Sequence, residues 1–279
     1  MAYFLALLSA GFYGAADFTG GIATRRAATI PVVLISQAAG LVLVALALPL
    51  MPTATPRAAD LWWGAAAGLA GGVGVALLYH ALAIGTMSVV APTTAVTGVA
   101  IPVLTSLALG ERLGVLPVLG MALGVAAIVL LSVSPSPTVR ASDRPSGLGP
   151  ALLAGLGVGV FLLALAQTHR EAGLWPLFTD RIASVGFFLV VVAVGRRSVR
   201  MPLSLAALAT GGGSLDMIAN ALYLIAVRIG PFSPIVTLSA LYPAGTVLLA
   251  RGVLGERLST WQTIGVVTAL VAVALIVGG

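Results

Sequence analysis

The sequence predicts an all-α polytopic membrane protein of ten transmembrane helices, built as two inverted five-helix repeats. Three observations carry that prediction: a composition too apolar for water, ten apolar runs of membrane-spanning length, and an internal duplication offset by five runs. Of 279 residues, 59% are hydrophobic and 8% charged, with a mean hydropathy of +1.13. A soluble domain is roughly a quarter charged and uses that fraction to keep its surface wet. This chain cannot cover itself in water, so lipid is its solvent.

A bilayer core about 30 Å thick needs about 20 helical residues at 1.5 Å each. Cutting the apolar runs at Arg, Pro and Gly clusters gives ten: Ala2–Ile22, Ile30–Met51, Leu61–Ala83, Ser88–Leu109, Leu113–Val133, Leu148–Gln167, Leu174–Val194, Leu203–Ile225, Phe232–Leu254 and Thr260–Val277. The first has no basic residue ahead of it and no small-residue cleavage site, and reads as a retained span. The one long connection, Ser134 to Gly147, is rich in Ser, Pro, Gly and charge. It divides a first repeat, 1–133, from a second, 148–279, with 134–147 as the linker.

Gly110-Glu111-Arg112-Leu113 returns as Gly255-Glu256-Arg257-Leu258, a shift of 145 residues. The same shift lays Gly14 on Gly159, Arg25 on Arg170, Gly85 on Gly230, Ser88 on Ser233 and Gly120 on Gly265. Matches at Gly, Glu and Arg mark a duplication, because apolar composition alone would align only Ala and Leu. Five spans is an odd number, so the second copy enters the bilayer from the opposite side.

The net charge is +6, from fourteen Arg and no Lys. Most of those Arg stand singly or in pairs between apolar runs, where they anchor and orient spans rather than form a nucleic-acid surface. With no Cys in the chain, disulfides, thiolate metal sites and thiol catalysis are excluded. No cofactor motif is present. The partners expected are membrane lipids and a small-molecule solute, with the proton as candidate coupling ion.

The paired Gly-Glu-Arg-Leu elements, the five-plus-five spans, Gly120 and Gly265 in the fifth and tenth runs, and Pro243 within the ninth resemble the EamA-type branch of the drug/metabolite transporter superfamily. The resemblance covers the whole chain. It implies a ten-helix secondary transporter with a central cavity, moving small polar metabolites such as amino acids, with export the expected direction, across the cytoplasmic (inner) membrane by alternating access. Two departures stand out. The position equivalent to Pro243 is Gly98, with Pro102 one turn on, and a basic residue kept in the seventh run as Arg181 corresponds to Gln37 in the second.

An ionised side chain at the bilayer centre costs about 2.5–3.5 kcal/mol on insertion scales, so each needs a partner, water or a task. Asp216 sits mid-way along the eighth run, with Asn220 and Tyr223 at i+4 and i+7 on the same face. Asp17 lies in the first run, about 12 Å of helix before Arg25. Both are candidate cavity acids for a cationic solute or a coupling proton; the alternative is a helix cap or a structural pair. Tyr13, one turn before Asp17, is a candidate aromatic wall. Tyr79 and His80 lie near the end of the third run, the histidine suited to solute binding or proton exchange but equally to an interfacial hydrogen bond.

The fourth run carries Pro92, Thr93, Thr94, Thr97, Gly98 and Pro102; the ninth carries Pro234, Thr237, Ser239, Tyr242 and Pro243. Proline frees a carbonyl one turn earlier, and in lipid that group must meet a side chain, water or substrate. Matched kinked helices in inverted repeats point to a midplane site, and Thr94, Thr97 and Tyr242 join the candidates. Asp180 and Arg181 are adjacent, about 100° apart on a helix, and are expected to find partners on other helices or headgroups rather than each other. Arg251 is expected to snorkel, and the two Glu-Arg pairs to close surface turns.

Glycines at four-residue spacing, Gly64/Gly68/Gly72, Gly120/Gly124 and Gly155/Gly159, let helices approach closely, either within a monomer or across a homodimer. The rivals to transport are an intramembrane enzyme acting on a lipid-linked substrate and a membrane scaffold. No His-Glu-x-x-His, nucleophile elbow or phosphate-binding Lys loop supports the enzyme. Eight Arg fall in odd-numbered connections and four in even ones, which places the odd connections inside the cell. The resemblance implies the reverse, so the orientation stays open.

Overall fold

The computed structural model describes residues 1–51, 53–84, 87–131, 147–246, 249 and 259–278, with backbone alone at 87–89, 91, 92 and 131. The linker 134–146, the second Gly-Glu-Arg-Leu element at 255–258, Arg251, and the side chains of Ser88 and Pro92 lie outside the described residues. The helices are α1 (Ala2–Thr24), α2 (Thr29–Ala47), α3 (Ala58–Ile84), α4 (Met87–Ala108), α5 (Val115–Leu131), α6 (Leu148–Ala166), α7 (Trp175–Val194), α8 (Leu203–Ile229), α9 (Phe232–Ser239) and α10 (Thr260–Gly278). The protein is an all-α multi-pass membrane protein of two five-helix repeats.

The repeat is visible in helix lengths. Helices α3 and α8 are both 27 residues long and offset by 145 at both ends, and α4/α9 and α5/α10 begin 145 residues apart. Neighbours obey the same exchange: α1 packs on α8 as α6 packs on α3, α2 on α8 as α7 on α3, and α9 on α1 as α4 on α6, while α5 and α10 pack on each other. Each repeat therefore completes the other, and neither encloses a core alone.

Close backbone approach holds these pairs. A Cβ on Gly68 of α3 would stand 2.0 Å from the Asp180 carbonyl oxygen of α7, and one on Gly213 of α8 the same 2.0 Å from the Ser36 oxygen of α2. Lipid tails supply no hydrophobic drive between helices, so this bare-backbone packing is what favours association. Gly64 and Gly72 likewise abut α7, Gly120 abuts α10, and Gly155 and Gly159 abut α4. The glycine ladders are thus used inside the chain. Trp62, Val190, Val194 and Leu270 lie exposed on the outer face, where lipid covers them.

The first Gly-Glu-Arg-Leu element has a structural role for each of its leading residues. Gly110, at φ +93°, ends α4 in the left-handed region; its N–H bonds Leu107 O at 3.0 Å and that of Glu111 bonds Ser106 O at 3.1 Å, a Schellman ending. Glu111 then reaches across to the first turn of α9, accepting from the Ser233 N–H at 3.3 Å and from the hydroxyls of Ser233 and Ser106. A carboxylate there complements the helix N-terminus.

Helix α9 departs from the expected single span. It ends at Ser239, turns at Ala240 and Leu241, and helix resumes over 242–246. Pro243 has no N–H for the Ser239 carbonyl, and its ring crowds the preceding turn. In α4 the equivalent Gly98 keeps its N–H, and α4 is continuous through that position.

Candidate functional site

A cavity of about 70 Å³ lies between the repeats, reached by α1, α2, α3, α4, α6, α7, α8 and the α9 break. One water needs about 10–15 Å³ of this measure, so several fit. Its apolar wall comes mainly from the first repeat's α3 and α4 (Gly71, Val75, Leu78, Val99) and from Phe161 and Leu162 of α6. The polar lining comes mainly from α1, α2, α7 and α8.

Helix α8 presents Asp216 and Asn220 one turn apart, α1 presents Tyr13 and Asp17 one turn apart, α7 gives Asp180 and Arg181, and α2 gives Gln37. They form one network. Arg181 donates through Nη2 to Asp216 Oδ2 at 2.6 Å and through Nη1 to the Gln37 side-chain oxygen; its Nε lies 3.3 Å from Asp180 Oδ2 and 3.5 Å from Met217 Sδ. Asn220 Nδ2 donates to Asp216 Oδ2 at 3.1 Å, and the Tyr13 hydroxyl donates to Asn220 Oδ1. The Tyr13 ring meets Tyr242 edge-on at 6.5 Å.

Two carboxylates remain unsatisfied. Asp180 Oδ2 is buried without a hydrogen bond, its approach to Arg181 Nε being badly angled. Asp17 faces the cavity, and among the described residues nothing donates to it. Among the described lining residues, three acids therefore stand against one guanidinium. At this depth an uncovered carboxylate calls for water, a proton or a cation.

The sequence expectations divide. Asp17, Tyr13, Asp216, Asn220 and Tyr242 meet at the cavity. Tyr223, on the same face by spacing, is instead fully buried and donates to Leu162 O at 3.0 Å. Tyr79 packs over Gly20 with its hydroxyl 3.5 Å from Ala16 O, and His80 is exposed on the outer face of α3. Thr94 donates to Ala151 O at 3.1 Å and Thr97 to Thr93 O at 2.7 Å; both pack on Gly155, joining α4 to α6. Tyr223, Tyr79, Thr94 and Thr97 pack between helices, and none of the five lines the cavity.

Asp180, Arg181 and Gln37 were absent from the expected site. Arg181 Nε stands 3.3 Å from Asp180 Oδ2 despite their angle on α7, while its terminal nitrogens reach partners on other helices, Asp216 of α8 and Gln37 of α2. The available signal was the departure at Gln37: the two equivalent residues are bonded to each other.

The face opposite the cavity's odd connections is tied by a second cluster. Asp60, at the start of α3, accepts from Arg57 N–H at 2.9 Å, from His169 N–H at 2.8 Å and from the His169 ring at 2.9 Å. Arg228 at the end of α8 donates to Gly173 O at 2.7 Å and Thr168 Oγ1 at 2.9 Å. Asp60 on His169 and Glu111 on Ser233 join the two repeats where the even-numbered connections lie, and the Arg228 bonds tie α8 to the α6–α7 connection within the second repeat.

The sequence matches the EamA-like transporter family over residues 1–133 and again over 145–278. The chain belongs to the EamA-like transporter family. It is thus a transporter of the drug/metabolite transporter superfamily. Among solved structures, one described as "Crystal structure of protein" superposes with a TM-score of 0.74 at 16% identity, over 98% of this chain and 94% of its own, a likeness of fold alone. No curated protein matches the sequence. In this EamA-family chain the two matched segments are the two sets of helices that share the cavity.

Proposed function

We propose that this EamA-family chain is a secondary transporter that exports small polar, amino-bearing metabolites, amino acids or related solutes, across the cytoplasmic membrane by alternating access. The carrying observation is a cavity shared by two repeats whose contacts exchange under one two-fold operation, lined by an Asp17 carboxylate that receives no hydrogen bond among the described residues. The direction rests on the family resemblance, and the proton is the coupling ion we assign, with Asp17 its acceptor. We place the repeats at 1–133 and 148–279; the family matches run over 1–133 and 145–278. The intramolecular use of the glycine ladders supports a working monomer.

In this reading the described conformation is held on the even-connection face by the Asp60–His169, Arg228–Thr168 and Glu111–Ser233 contacts. Opening that face between the repeats requires the Asp60–His169 and Glu111–Ser233 contacts to part while equivalent packing forms on the other. Inverted repeats supply both packings from similar sequence. The α9 break brings Ser239 and Ala240 to the cavity wall, and an interrupted helix is tolerated at membrane depth only where it is buried in protein or lines such a space.

The test is efflux of labelled amino acids and amines from proteoliposomes, with and without a proton gradient. Gradient-dependent flux that falls at least ten-fold in Asp17→Asn supports the reading. Wild-type flux in Asp17→Asn removes the site, and no flux of any solute removes transport itself.

A further inference from the structure

We infer that the cavity selects organic amines lacking a carboxylate over amino-acid zwitterions, with Asp17 receiving the ammonium group. The inference rests on the proposed transport role of this cavity and, among the amino-bearing solutes of that reading, places amines ahead of amino acids. It stands on the distribution of charge and of free hydrogen-bonding groups around the space.

An amino-acid zwitterion needs a cationic partner for its carboxylate, and Arg181 is the guanidinium in the cavity. That fork is already engaged. One terminal nitrogen goes to Asp216, the other to Gln37, and Nε faces Asp180 and the Met217 sulfur. A substrate carboxylate approaching Arg181 would meet Asp180 and Asp216 at the same guanidinium, where like charges within a few Å disfavour it. The site is thus closed to a carboxylate on the very residue that ordinarily binds one.

The ammonium end has the opposite situation. Asp17 lines the cavity and receives no hydrogen bond among the described residues. Counted formally, Asp17, Asp180 and Asp216 carry three negative charges against one positive, so even with one acid protonated a single negative charge is uncovered. A monovalent amine cation balances that charge; a zwitterion, carrying none, does not.

The remaining wall describes the rest of the ligand. Tyr13, Tyr242 and Phe161 offer aromatic surface that accepts a cation at the ring face. Val75, Leu78 and Leu162 offer apolar surface. The preferred occupant is a primary or quaternary amine on a compact apolar or aromatic body.

The experiment measures equilibrium binding to the purified full chain, using phenethylamine against phenylalanine and isoamylamine against leucine, pairs that differ in the carboxylate. Each amine is expected to bind at least ten-fold more tightly than its amino acid. Asp17→Asn is expected to weaken amine binding at least ten-fold with an unchanged melting temperature, and Asp17→Glu to restore most of it. Amino acids binding as tightly as the amines, or amine binding unaffected by Asp17→Asn, overturns the inference while leaving the transport reading intact. Neither class binding to a protein of normal melting temperature overturns both.

Discussion

Gln37 and Arg181 hold matching positions of the two repeats, each one residue past the carbonyl (Ser36, Asp180) that abuts Gly213 or Gly68, and they hydrogen-bond to each other. A residue bonded to its own repeat partner lies on the axis that exchanges the repeats. That location explains the mismatch in residue type: two arginines there would set two guanidinium groups in contact, so one copy carries a neutral amide. The site is asymmetric because its scaffold is symmetric.

Removing Arg181 leaves Asp180 and Asp216 without their cation. Breaking a buried pair from one side costs about 3–5 kcal/mol, since the surviving charge is stranded. Arg181→Met should therefore lower the melting temperature in detergent strongly. Arg181→Met with Asp216→Asn should recover part of the loss, and a double variant no better than the single one contradicts the pairing.

Gly68 and Gly213 should tolerate no side chain. An added methyl would meet a carbonyl oxygen at 2.0 Å in each case, and overpacking of this kind costs about 1–3 kcal/mol. Gly11→Ala and Gly211→Ala, where nothing lies within 4 Å, are the controls. Thermal melts should separate the two pairs, and equal effects would contradict the close α3–α7 and α2–α8 approach.

Pro243→Ala restores the N–H that the Ser239 carbonyl lacks. Helix α9 is then expected to run on through Ala240, drawing Ser239 and Ala240 out of the cavity wall. Transport should fall about ten-fold or more while the melting temperature holds or rises, because a helical hydrogen bond is gained. A fully active Pro243→Ala would show that the break has no part in transport.

Asp60→Asn removes the charge that gathers Arg57 and His169. Loss of charged hydrogen bonds of this kind costs about 1–3 kcal/mol. The even-connection face should open more often, read as faster proteolysis in the α6–α7 connection. No change in cleavage would mean that Asp60 does not hold that face.

The fold was largely legible because a duplication leaves marks that apolar composition does not erase: the recurring Gly-Glu-Arg-Leu, and helices α3 and α8 with matching ends. Half of the site was legible for a different reason. Asp17 and Asp216 stand out since charge in lipid needs an explanation, but helical spacing tells only which residues share a face, not what that face meets. Tyr223 shares one with Asp216 and Asn220 yet ends against Leu162, and His80 adjoins Tyr79 yet points outward. Arg181 is hidden at the sequence level because the helical angle to Asp180 places only its Cβ, whereas the end of its long side chain finds Asp216 and Gln37. The α9 break lay in Pro243, visible as a kink but not as an interruption.

The central claim, one cavity reached alternately from both sides, has a direct measurement. The chain has no cysteine, so Ala240→Cys gives a single thiol in the cavity wall with no background. A membrane-impermeant thiol reagent is applied to either face of oriented vesicles. Labelling from both faces is predicted, with bound solute shifting the ratio of the two rates. Labelling from one face alone, unchanged by any solute that the protein binds, would contradict the account.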